Sequence, residues 1–249
     1  RARAAAAEVM LRGGVKSFPR INCTEAERHF ERHVLEQRPL LIAGCEHLLS
    51  SHVPRTWEEA ATMWHDFAHA NRRSRLAFSA LARHFPDNIN VWVPQDRLGE
   101  HIAAPAFWAA GGSKAVPQAA GPLEAHPHIA KYVVSHRGAF FATHRDMYRE
   151  NLEMIITGEK LVVMFPPTPE NYLRASPRVM FNASSSKDTQ SVGYPDARQL
   201  KAMEQLYMGV VRAGEMVYVP SDWFHFFMPT ARVPETQLAY CWRRTSELA

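Results

Sequence analysis

From residue 130 onward the chain is a succession of short apolar runs, and this rhythm constrains the fold more than any other feature. "KYVVS", "AFFATH", "LEMIIT", "KLVVMF", "MGVVR", "EMVYVP", "FHFFM" and "TQLAYCW" all have strand length and are rich in β-branched and aromatic residues. Gly138, Gly158, Pro166-Pro167, Gly214, Pro220 and Pro229 separate them. Many short strands with turn residues at this spacing predict a β-sandwich or barrel. Helix-strand alternation with a GxGxxG turn is absent. The polar tract 182–191, "NASSSKDTQS", reads as a loop between the two halves of this β-region.

The preceding residues are more mixed. Residues 1–12 read as a helix or tail ended by Gly13-Gly14. Thr24 with Glu27 makes a capping-box pattern ahead of an apolar stripe at Phe30, Val34 and Leu35. "RPLLIAG" predicts a buried strand ended by Gly44. Thr56 with Glu59 repeats the capping signature before Ala60, Met63, Trp64 and Phe67, which predicts a second helix. Gly, Ala, Pro and His dominate residues 99–130, an irregular connection. The expectation is a single domain over 1–249: N-terminal helices, early strands and a loop in 1–130, then a β-core in 131–243.

Composition narrows the class. With 249 residues, 46% hydrophobic and 22% charged, the chain can bury a full core and is far from the polar composition of disorder. No apolar run approaches the ~20 residues of a membrane span. The chain starts at Arg1 with an Ala-rich stretch and no signal-peptide core, consistent with a piece of a longer protein. Cys23, Cys45 and Cys241 are odd in number, widely spaced and form no CxxC, which speaks against a disulfide framework or a cysteine zinc site. An intracellular setting, nuclear or cytoplasmic, is the simplest expectation. The net charge of +4 tolerates an acidic partner, but no Arg/Lys run with interleaved aromatics marks a nucleic-acid surface.

Residues 142–167, "ATHRDMYRENLEMIITGEKLVVMFPP", carry the chemistry. On a strand His144 and Asp146 share a face while Arg145 points away, which makes half of a metal site. "GEMVYVPSDWFHFFMP" can supply a third ligand in His225. Two histidines and one carboxylate form the facial triad that holds non-haem Fe(II) with positions open for dioxygen chemistry. Lys160 lies on a second apolar strand with Val162 and Met164 on its own face, so its ammonium points into an enclosed space unless that strand is an edge. A buried cation needs an anion, and a metal-chelating 2-oxoglutarate could offer its distal carboxylate. Taken singly, His144–Asp146 reads as a surface pair, Lys160 as an edge-strand lysine and His225 as a packed core histidine; the joint arrangement outweighs those readings.

These segments resemble the Jumonji C (JmjC) group of Fe(II)- and 2-oxoglutarate-dependent oxygenases, particularly the small hydroxylase branch that includes the asparaginyl hydroxylase acting on hypoxia-inducible factor. "HRD" followed by Asn151, "GEK" and "FPP", then "AGEMVYVPSDWFH", carry the resemblance, with "YPDARQL", "LAYCW" and "RPLLIAG" extending it. It implies a double-stranded β-helix, a jelly-roll or cupin-like barrel, with N-terminal helices packed on it. It also implies Fe(II) on His144, Asp146 and His225, 2-oxoglutarate on Lys160, Asn151 near that cosubstrate and Tyr132 as a second donor to it. O2 would be consumed as 2-oxoglutarate is oxidatively decarboxylated to succinate. Where many relatives place a threonine for 2-oxoglutarate this chain has Phe141, a departure for which Thr143 could compensate. The expected reaction is hydroxylation of a protein side chain or RNA nucleoside. Lysine N-demethylation by the same chemistry is the alternative, and a catalytically silent binding module of the same fold is another. Two further rivals are a zinc helix in "HDFAH", residues 65–69, and a metal-dependent cupin without 2-oxoglutarate.

Overall fold

The computed structural model describes residues 15–48, 88–94, 128–135, 143–146, 149–171, 179–180, 189–192, 197–230 and 235–243. The predicted helix after Thr56, the "HDFAH" motif, Phe141 and residues 1–12 lie outside them. With strands numbered in chain order, one seven-stranded sheet runs Arg20–Asn22 (β1), Leu40–Ala43 (β2), Met216–Val219 (β11), Arg149–Thr157 (β6), Glu235–Arg243 (β13), His128–Ser135 (β4) and Asn88–Pro94 (β3). The second, six-stranded sheet runs Tyr207–Arg212 (β10), Glu159–Phe165 (β7), Phe224–Pro229 (β12), His144–Asp146 (β5), Thr189–Val192 (β9) and Val179–Met180 (β8). Among the described strands every pairing is antiparallel except β1 with β2. The result is a jelly-roll sandwich of mainly β content, as the strand rhythm predicts.

The core is an inter-sheet layer. Leu41, Ala43, Ile155, Val217 and Val219 from one sheet pack against Val162, Met164, Val211 and Phe227 from the other. Phe18 enters the same layer because Gly209 has no side chain: a Cβ there would stand 2.9 Å from the phenyl ring. The reverse face of the six-stranded sheet is also buried, with Leu161, Val163, Phe165, Phe224, Phe226 and Met228 meeting Leu200, Met203 and Leu206 beside the short helix Ala197–Ala202. Burial on both faces is why "KLVVMF" is apolar throughout instead of alternating. It also excludes the edge-strand reading of Lys160, since β7 lies between β10 and β12.

Helix α1, Ala26–Leu35, packs on the outside of the seven-stranded sheet, where Phe30 meets Tyr218 edge-on at 5.4 Å between ring centroids. Its entry differs from the predicted Thr24–Glu27 cap. A 3-10 turn at Cys23–Glu25 precedes it, and the capping box falls on Asn22 and Glu25. Gly44 ends β2 at φ 75°, as expected. The end of the polar tract 182–191 is not a loop: Thr189–Val192 is a strand, paired through Ser191 with His144. Among the described residues no helix is long and apolar enough to cross a membrane.

Candidate metal centre

The three predicted ligands meet on one wall of the inter-sheet layer. His225 on β12 is the direct partner of His144 on β5, and their rings lie 4.3 Å apart. One ligand atom from each of His144, Asp146 and His225 can be chosen so that all lie within 4.8 Å of one another. His225 is buried, while His144 and Asp146 are half-buried, so the cluster opens to one side. Sheet register alone produces this: antiparallel pairing sets the two histidines opposite each other, and strand alternation adds Asp146 to the same face.

Two neighbouring groups orient the cluster's side chains. Nδ1 of His225 lies 2.9 Å from the Trp223 carbonyl, which can only accept, so the ring carries its proton there and turns the Nε2 lone pair inward. Asn151 donates from Nδ2 to Oδ2 of Asp146 at 2.9 Å, fixing the carboxylate. Such supports are what a metal site needs to hold its ligands' orientation. The backbone N–H of Asp222 donates to the Asp146 carbonyl at 3.2 Å and ties the same strand to the turn before β12. Arg145, between the two ligands, points away: it lies 3.6 Å from Asp222 and over the Phe224 ring at 5.8 Å.

Lys160 is enclosed, with 2% of its surface exposed. The pairings of Lys160 with Pro229, Val162 with Phe227 and Met164 with His225 place it on the same inner face as the histidines, four residues along β7 from the His225 row. At the rise of a strand this separation is about 13 Å between backbones, a span that a lysine side chain and a small dicarboxylate fill together. Asn151 and Glu153 line the opposite wall, on the face of β6 that also carries Ile155. Tyr132 stands on β4 in the cross-strand row of Leu238 and Met154, the row alternate to Glu153 and Ala239.

Two buried polar side chains stand near the cluster. Thr143, beside His144, is fully buried, and its Oγ1 has no hydrogen-bond partner. Glu150 is also fully buried, beneath the turn that leads to His225. Thr143 is the residue the sequence offered in place of a threonine at 141; Glu150 was missed, and its only signal is a carboxylate one residue before Asn151 in a strand that must be central. Cys23 and Cys45, distant in sequence, are brought together at the ends of the parallel pair β1 and β2 and share a hydrogen bond. Both are free thiols, and burial pushes both above the usual thiol range.

A two-sheet jelly roll with a two-histidine, one-carboxylate cluster in its interior defines a cupin-type architecture with a candidate metal centre. The cupin-like domain family matches residues 49–233, and the chain belongs to that family. Among solved structures, it is similar to Peruvianin-I, a cysteine peptidase from Thevetia peruviana latex, at 14% identity over 64% of this chain and 63% of that one, with a TM-score of 0.35. An oxalate oxidase in complex with glycolate matches at 14% identity over 64% of this chain and 52% of that one, TM-score 0.34. The oxalate decarboxylase of Lactobacillus farciminis matches at 12% identity over 47% and 25%, TM-score 0.31. The similar region thus spans less than two thirds of each of these chains.

Proposed function

We propose that the protein is an Fe(II)- and 2-oxoglutarate-dependent oxygenase of JmjC type that hydroxylates a protein side chain or an RNA nucleoside. The observation that carries this reading is the joint placement of the His144–Asp146–His225 cluster and the enclosed Lys160 on one inner face. The donor set fits Fe(II): two imidazoles and one carboxylate on one side leave the other side open for exchangeable ligands. Bound iron with 2-oxoglutarate would supply the oxidising chemistry, coupling O2 and decarboxylation to oxidation of a substrate C–H bond.

The chain's own residues have defined parts in it. His144, Asp146 and His225 would hold the metal, and the Trp223 carbonyl and Asn151 amide hold two of them in orientation. Lys160 would hold the distal carboxylate of 2-oxoglutarate by a charge-assisted bond in a site closed to water, which a cupin acting on a shorter acid does not require. Buried Val162, Met164 and Phe227 exclude solvent between the two ends of that ligand. The open side beside half-buried His144 and Asp146 is where a substrate would approach; N-demethylation there would use the same residues.

The test is succinate formation by the full chain with Fe(II), ascorbate and 2-oxoglutarate, set against His144→Ala and Lys160→Ala. Turnover in the wild type that both variants lose supports the reading. Failure of the wild type to bind Mn(II) and 2-oxoglutarate by calorimetry overturns it in favour of a silent binding module.

A further inference from the structure

Glu150 stands near the start of β6, and none of its surface is exposed. Three donors converge on its carboxylate. Gln37, just past the end of α1, donates from Nε2 to Oε1 at 2.8 Å. The Tyr218 hydroxyl donates to Oε2, and so does the backbone N–H of Ser221, at 2.9 Å. Both oxygens of the Glu150 carboxylate therefore accept. Burying a charge at this depth is costly, and these bonds offset the cost.

The position of the carboxylate gives it a further role. Ser221 is the second residue of the turn Pro220–Trp223, closed by the Trp223 N–H on the Pro220 carbonyl at 3.3 Å. Asp222 holds the left-handed conformation there, φ 63°, which Asp tolerates better than most residues. The turn touches both halves of the metal cluster. Its Trp223 carbonyl fixes the His225 ring, and its Asp222 N–H reaches the backbone carbonyl of Asp146. One residue beyond Glu150, Asn151 holds the Asp146 carboxylate.

We infer that Glu150 is a positioning residue for the metal centre, pinning the Pro220–Trp223 turn so that His225 and Asp146 keep the separation a metal requires. This rests on the reading of His144, Asp146 and His225 as metal ligands. Glu150 touches none of them; it acts through Ser221 and the turn. Tyr218 and Gln37 complete the arrangement, so that α1 is coupled to the geometry of a site on the far side of the sheet. The Gln37 backbone is itself in the left-handed region at φ 50°, and its amide also caps the Val34 carbonyl at 2.8 Å.

The experiment is titration of the full chain with Mn(II) and, separately, with Co(II), whose visible d–d spectrum reports coordination geometry. Wild type is compared with Glu150→Gln, Tyr218→Phe, Gln37→Ala and the control Val34→Ala. The control removes buried apolar contact from α1 while leaving every bond to the carboxylate in place. Glu150→Gln sets an NH2 against a donor and is expected to weaken Mn(II) about tenfold or more, the usual effect of removing an outer support, and to change the Co(II) spectrum. Tyr218→Phe and Gln37→Ala are expected to produce smaller losses in the same direction, and they carry the test if Glu150→Gln does not fold. Val34→Ala should melt earlier yet bind Mn(II) as wild type does. Affinity within twofold of wild type and an unchanged Co(II) spectrum in the Glu150, Tyr218 and Gln37 variants overturn the inference while leaving the metal site standing. A wild type whose Mn(II) binding is absent, or indifferent to His144→Ala, overturns the metal reading and this inference with it.

Discussion

If the proposed function holds, replacing Lys160 with methionine should separate recognition of the cosubstrate's far end from everything else the site does. Lys160 is shielded from water, with 2% exposure, so a bond from its ammonium to a ligand carboxylate would not be screened as a surface pair is. A hydrogen bond to a charged group in such a place contributes about 1.5–3 kcal/mol. At about 1.4 kcal/mol per factor of ten, the loss corresponds to roughly 10- to 150-fold in Kd. Methionine keeps most of the stem length beside Val162 and loses only the charge. The assay is calorimetry with Mn(II) in place of Fe(II), which prevents turnover, titrating 2-oxoglutarate and then 2-oxobutyrate, a keto acid without the distal carboxylate. Lys160→Met should lose affinity for the first ligand and bind the second within twofold of wild type. Equal losses for both ligands would mean that the site has collapsed, and no loss for either would mean that Lys160 faces no ligand; both results refute the reasoning.

Three other perturbations test separate parts of the structure. Asn151→Ala removes the donor that fixes the Asp146 carboxylate and should weaken Mn(II) about tenfold in a metal titration, with little change in thermal stability. Thr143→Val removes a buried hydroxyl that has no partner, and the shape is nearly conserved; denaturant unfolding should show a gain of up to about 1 kcal/mol, and a loss above that size would show the hydroxyl to be bonded. Because burial raises the Cys23 and Cys45 thiols, the folded protein keeps their neutral form as pH rises through the ordinary thiol range while the unfolded chain ionises. Stability should therefore decline above about pH 8.5, and mass spectrometry should find both cysteines unalkylated by iodoacetamide until the protein is denatured.

The sequence foretold the parts of this molecule that depend on local pattern. Every quoted apolar run that falls among the described residues is a strand, because β-branched content and turn punctuation are local properties. The strand Thr189–Val192 was hidden, since a polar strand has no hydrophobic alternation to show. The cap on α1 shifted by two residues because Asn22 and Glu25 satisfy the same rule as Thr24 and Glu27, and only the intervening 3-10 turn decides between them. His144 and Asp146 could be placed on one face from spacing alone. Their union with His225, and the enclosure of Lys160, depended on strand order, which no local signal gives. Glu150 and the Cys23–Cys45 contact are tertiary in origin: each joins elements far apart along the chain.

The long sequence separation between the two histidines has a consequence for how the protein is made. His144 and Asp146 leave the ribosome first, and His225 follows only after β7, β10 and β11 have been synthesised, with β12 seated between β5 and β7 in the finished sheet. No nascent chain that stops short of β12 can present all three donors. The cluster is therefore complete only once β12 has joined the sheet, and any choice among competing cations would fall to a folded sheet, whose fixed donor geometry can discriminate where a loose chain with one histidine and one carboxylate cannot.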